Sequence, residues 1–143
     1  MALQYGGTLA GNQLTAIQTA VGAGGLLRIY STTAAAHPGS TEPTGLLCTI
    51  TLPTTFITVT AGTTSAAAFT TIASGPWSNT ASGGGAGTNA LSFRIYDSSA
   101  TTCHVSGLVT ATGGGGELQL NNVSIATGQT VNVTAFTITA GNF

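Results

Sequence analysis

Lysine is absent from this chain, and its only arginines are Arg28 and Arg94. Acids are nearly as scarce: Glu42, Asp97 and Glu117 bring charged residues to 3% of 143 positions and the formal net charge to −1. Ordinary soluble domains carry roughly a quarter charged residues. Nucleic-acid binding draws its affinity from Lys and Arg set against phosphates, and two arginines far apart in sequence form no basic stripe. Nucleic acid is therefore excluded as a partner. Little charge repulsion keeps copies apart, so self-association is expected to be easy.

Long apolar runs are missing as well. Thr, Ser, Gly and Asn interrupt every apolar stretch well before the roughly 18 residues that a membrane helix needs. No membrane partner is expected. The opening MALQYGGTLAGNQLTAIQTA has neither the positive n-region nor the continuous apolar h-region of a secretory signal, which predicts folding in a cytoplasm. In that compartment Cys48 and Cys103 stay reduced, and a disulfide between them requires neighbouring strands.

Reactive side chains are few. Cys103 and His104 are adjacent, so on a strand they leave opposite faces and form no thiolate–imidazolium pair. His37 precedes Pro38 in a loop. No CxxC or HxxxH pair pre-organises a zinc site. The runs VGAGG, SGGGAG and TGGGG lack the lysine of a Walker loop and the strand–helix setting of a dinucleotide loop, so they read as connections. Asp97, closing a strand before two serines, reads as a turn cap. No catalytic residue, cofactor or metal is assigned, and the chain is not expected to be an enzyme.

What is present is β pattern with one helix. Leu9, Leu14, Ile17 and Val21 recur at near-helical spacing and predict a short amphipathic helix, stopped by the glycines after Val21. In LSFRIYD, Leu91, Phe93 and Ile95 alternate with Ser92, Arg94 and Tyr96, the pattern of a strand with one buried face, so Arg94 points away from the core. The turn SSATT joins it to CHVSGLVTAT as a hairpin. Further strands are expected at residues 26–31, 45–52, 56–60, 69–73, 118–125 and 130–139. A parity change from Val131 and Val133 to Phe136 and Ile138 predicts a bulge near Ala135. The expectation is an all-β fold, a β-sandwich or jelly roll of about seven or eight short antiparallel strands with a short N-terminal helix. A single domain is expected over residues 1–143, with an N-terminal arm and helix over 1–25 and the sandwich over 26–143.

Both arginines sit inside the same tripeptide, in LLRIYS and FRIYDS. Only that tripeptide and a loose layout agree, so the likeness reads as shared strand chemistry rather than duplication. An outward Arg beside Tyr30 or Tyr96 is either a solvated strand residue or an anchor at a protein interface, where Arg and Tyr are both favoured. The candidate interface residues are Arg28, Tyr30, Arg94, Tyr96 and Trp77, the last also suited to core packing.

Residues 93–139, FRIYDSSATTCHVSGLVTATGGGGELQLNNVSIATGQTVNVTAFTIT, resemble a family of small virion proteins of tailed bacteriophages. The likeness rests on RIYD, TTCH, the G-x-V-T-A-T-G-G-G-G run, L-x-L-x-N, S-I-x-x-G-Q-T-V-N and a terminal T-x-T strand. LLRIYSTT, GSTEPTGLLCTITL and the N-terminal helix extend it to most of the chain. The resemblance implies a capsid cement, or decoration, protein on the outer capsid surface of the virion, made in the host cytoplasm. Its implied partners are the major capsid protein and a second copy as a homodimer. The middle stretch TFITVTAGTTSAAAF departs from the family pattern and is the expected place of contact with a particular shell. The rival reading is a tail-fibre or receptor-binding module.

Overall fold

The computed structural model describes residues 6–33, 37–62 and 68–140. The helix α1 spans Gly7–Val21 and buries Ala10, Leu14 and Val21, with Ile17 half-buried between them. That spacing of four, three and four keeps one stripe inward. The expected contact Leu9 falls off this stripe and is 51% exposed, and Ala10 takes its place. A side chain at Gly7 would collide with the carbonyl of Gly62, so the helix approaches the segment that holds Gly62 only because that position is bare. Gly22 ends the helix at a φ of 70°, its N–H bonding the Gln18 carbonyl at 3.0 Å.

Twelve strands follow among the described residues: β1 Leu26–Tyr30, β2 Leu46–Thr51, β3 Ile57–Thr60, β4 Ala68–Ile72, β5 Ser78–Thr80, β6 Thr88–Asn89, β7 Ser92–Tyr96, β8 Cys103–Ala111, β9 Leu118–Leu120, β10 Ser124–Ile125, β11 Thr130–Phe136 and β12 Thr139–Ala140. The fold is an all-β sandwich with a short N-terminal helix, as expected. Its larger sheet has the order β2-β1-β7-β8-β9-β11-β5 and curls nearly into a barrel. Asn79 Nδ2 on β5 donates to the Thr49 carbonyl on β2 at 2.7 Å, and the Ser82 and Gly83 N–H groups donate to Leu47 O at 3.0 Å. Side chain and loop thus close the seam that the strand ladder leaves open, which protects two strand edges.

One strand pair departs from the antiparallel expectation: β8 and β9 run parallel, with Val109 opposite Leu118. The bulge near Ala135 is present, as a register shift between Val133 and Ala135 where β11 meets β9. The smaller three-stranded sheet, β12-β4-β3, packs one face on α1, where Ala68, Val59 and Ile138 meet Ala10 and Leu14.

The barrel interior holds Leu27, Ile29, Leu47, Ile50, Phe93, Ile95, Leu118 and Leu120. At one end Trp77 stands between Phe56 and Phe136, with ring centroids 5.9 and 5.4 Å away, and its Nε1 donates to Ser74 O at 2.9 Å. Trp77 is 1% exposed, which corrects its candidacy as an interface anchor: the indole is a core residue whose one polar atom is satisfied inside.

Cys48 on β2 and Cys103 on β8 are both free thiols. Strands β1 and β7 lie between theirs, a separation of roughly 14 Å at the usual interstrand spacing, far beyond disulfide reach.

Candidate functional site

The antiparallel pairing of β1 with β7 places Arg28 directly opposite Arg94. Two like charges facing each other on a ladder are destabilising, so something else must hold them there. Leu27 and Ile29 face Ile95 and Phe93 on the core side, which leaves Arg28, Tyr30, Arg94 and Tyr96 together on the outer face.

A strap formed by residues 37–45, between β1 and β2, runs across that face. Glu42 Oε1 accepts from Arg28 Nη1 at 2.8 Å and from Tyr30 Oη at 2.6 Å. Arg94 makes no direct ion pair among the described residues, though its charge also acts on Glu42. Its Nη1 donates to Ser40 O at 2.9 Å and to Pro38 O at 3.4 Å, and its Nη2 to Ser40 Oγ at 2.9 Å. The Arg28 guanidinium also lies over the Tyr96 ring, 5.1 Å from its centroid, a cation–π contact.

Electrostatics follow the geometry. The Tyr30 hydrogen bond, with the Arg28 charge, holds the Glu42 carboxyl below its ordinary value. Burial opposes the Arg28 charge, but the Glu42 bond and charge outweigh it and hold the guanidinium above its ordinary value. Burial, aided by the bond to Glu42, pushes the Tyr30 phenol far up, so it stays a neutral donor. Three buried atoms have no hydrogen-bond partner among the described residues: Arg28 Nε, Arg94 Nε and Tyr96 Oη, the last lying beside the Tyr30 hydroxyl.

The expectation that Arg94 points away from the core holds for the backbone parity, yet the side chain is only 2% exposed. Tyr30 and Tyr96 are likewise buried, and Arg28 retains partial exposure. These four therefore form a covered polar cluster rather than an open interface patch. Sequence reasoning missed Glu42 and Ser40, because alternation along a strand says nothing about a loop that folds back over it. One signal was available: Glu42 is the only acid in the long connection after Arg28.

The opposite wall is the β7–β8 turn. Asp97 accepts from Ser99 Oγ at 2.8 Å, from the Thr101 N–H at 3.0 Å and from Thr101 Oγ1 at 3.2 Å. These bonds, the Ser99 hydroxyl first, bring its carboxyl down to about 2. Between strap and turn lies an open cleft of about 300 Å³, reached by Ser40, Glu42, Arg94, Tyr96, Thr102 and Cys103. Burial raises the Cys103 thiol despite the nearby Arg94 charge, and pushes Cys48 up to about 11, so neither is a ready thiolate.

Glu117, the third acid, accepts the Leu108 N–H at 2.9 Å. Among the described residues no three His, Cys, Asp or Glu side chains gather as a metal site requires. No described helix is long and apolar enough to cross a membrane. Comparison with protein-family models, with curated proteins and with solved structures gives no match.

Proposed function

We propose that this chain is a structural virion protein, a capsid cement protein that binds the outer surface of a tailed-phage shell and stabilises it. The observation that carries the reading is the free face of the small sheet. Thr60, Phe69 and Thr139 stand in one row across β3, β4 and β12, flanked by the paired Thr58 and Thr71. All five are exposed, none is charged, and Phe69 is 39% accessible at the centre. The face is hydrogen-bonding and neutral around one aromatic, a composition suited to repeated contact with another protein. Most of it comes from the middle stretch of the chain that departs from the phage family pattern. The major capsid protein is the proposed partner, with a two-fold homodimer as the closed self-association most often adopted.

Mass spectrometry of purified virions tests this through copy number. Copies comparable in number to the shell protein support cement. A handful per particle would move the chain to the tail as a fibre or receptor-binding module, and absence from virions would reject both. Phe69→Asp is expected to abolish incorporation while leaving the fold intact, since the side chain lies outside the core.

A further inference from the structure

The covered arginine cluster is incomplete as it stands. Arg28 and Arg94 bring two positive charges to it and Glu42 brings one negative charge. Asp97, the acid of the facing turn, is engaged by Ser99 and Thr101 rather than by an arginine. Among the described residues the hydrogen-bond partners of Arg94 are neutral oxygens of the strap, the Pro38 carbonyl at a distance of 3.4 Å. A buried guanidinium that shares its nearby carboxylate, Glu42, with Arg28 and makes no direct ion pair is costly, and a 3.4 Å bond is a weak restraint. Among the described residues the Tyr96 hydroxyl is a further donor without an acceptor, and both Arg94 and Tyr96 reach the cleft between strap and turn.

We propose that this cleft binds one carboxylate group, with Arg94 as its charged partner and Tyr96 Oη as its neutral donor. Within the cluster under the strap, counted without Asp97 of the facing turn, the excess of one positive charge matches a monoanion. Guanidinium geometry matches the two oxygens of a carboxylate, which takes the place of the weakly held Pro38 carbonyl. The cleft is small by the standard of ligand pockets, which suits a single acidic side chain or a small free acid. The version in which a partner protein presents the carboxylate rests on the cement reading; the site itself does not.

Because Arg28 and Arg94 are the only arginines in the sequence, they supply the only arginine Nε–Hε signals in a ¹H–¹⁵N spectrum of the isolated chain. These signals are followed during titration with sodium acetate, and separately with the end-blocked peptide Gly-Glu-Gly, each against sodium chloride at equal ionic strength. The Arg94 signal is expected to move saturably with a carboxylate probe and not with chloride. Tyr96→Phe, which removes one unpartnered hydroxyl, is expected to keep the dispersed amide spectrum and to weaken binding about 3- to 10-fold. Response to both probes assigns the site to any carboxylate, and response to the peptide alone assigns it to a presented side chain. No saturable movement with either probe, an equal response to chloride, or full affinity in Tyr96→Phe overturns the proposal. The titration reads the same whether or not virions carry the chain, so its failure is distinct from failure of the cement reading.

Discussion

The β1–β2 and β7–β8 hairpins start from the same Arg-Ile-Tyr and treat it differently. Their frameworks match closely. Exchanging Arg28 for Arg94 turns the pair Leu27–Ile95 into Phe93–Ile29, so the β1–β7 ladder has an approximate two-fold axis at the arginines. Each hairpin has its register shift at the Ile-Tyr step: Ile29 and Tyr30 face Cys48 and Leu46, while Ile95 and Tyr96 face Val105 and Cys103. The likeness thus extends from a tripeptide to register and bulge. What differs is the connection. The first hairpin's long loop provides the strap that covers both arginines, and the second ends in a short turn closed by Asp97. Equivalent strand positions therefore hold one arginine paired to a carboxylate and partly exposed, and one buried among neutral oxygens. The loop, not the strand, decides what an outward side chain becomes.

The largest test of that difference is truncation of each arginine. Arg94→Ala removes the donors that hold Ser40 and opens space beneath the strap, and is expected to cost about 3 kcal/mol. Arg28→Ala removes a partly exposed ion pair and a cation–π contact, and is expected to cost about 1 kcal/mol or less. Urea denaturation of the two variants compares them directly. Equal costs would mean that the strap does not distinguish the two positions.

Much of the framework was legible because it is local. The helix, the β7–β8 hairpin and the bulge at Ala135 each follow from spacing within a dozen residues. Strands of two or three residues, such as β6, β10 and β12, carry too few positions to show alternation. The parallel β8–β9 pair depends on how the TGGGG run turns the chain, which composition does not specify. The cluster was half legible: the shared tripeptide marked Arg28 and Arg94, but their register partnership and the strap that buries Arg94 are contacts between distant segments. Trp77 offered no periodic context of its own, so only the packed rings around it settle its place.

The two connections also differ in how they meet the left-handed region. The strap ends at Gly45 with φ 75°, whereas the turn places Ala100 at φ 59°. A side chain at Gly45 would both be strained and collide with Ser31 Oγ, so Gly45→Ala is expected to destabilise by about 1–2 kcal/mol. Ala100→Gly relieves strain of about 1 kcal/mol but gives back part of it to the looser unfolded chain, for a net gain of several tenths of a kcal/mol. Thermal unfolding of both variants should move in opposite directions. A loss of stability in Ala100→Gly would show that the turn is not strained at that residue.

The smallest effect separates the two connections by acid. Asp97 has its carboxyl lowered from 3.8 to about 2 by the Ser99 hydroxyl and the Thr101 and Thr102 amides, and Glu42 lies below its ordinary 4.5 through Tyr30 and Arg28. A depressed carboxyl contributes stability that is present above its unfolded value and is lost as pH falls through its folded value. Both connections therefore remain closed at neutral pH, and both loosen only on acidification. The Asp97 turn should keep its hydrogen bonds at about pH 3, where an unperturbed aspartate is mostly protonated, and release them as pH approaches its folded value. Because the Asp97 side chain is exposed, the change is expected in the Thr101 and Thr102 amide signals and not in global unfolding. Carboxyl carbon shifts followed from neutral to strongly acid pH report each midpoint separately. An Asp97 midpoint at the ordinary 3.8 would mean that the turn's bonds do not persist in solution, and the second wall of the cleft would lose its defined shape.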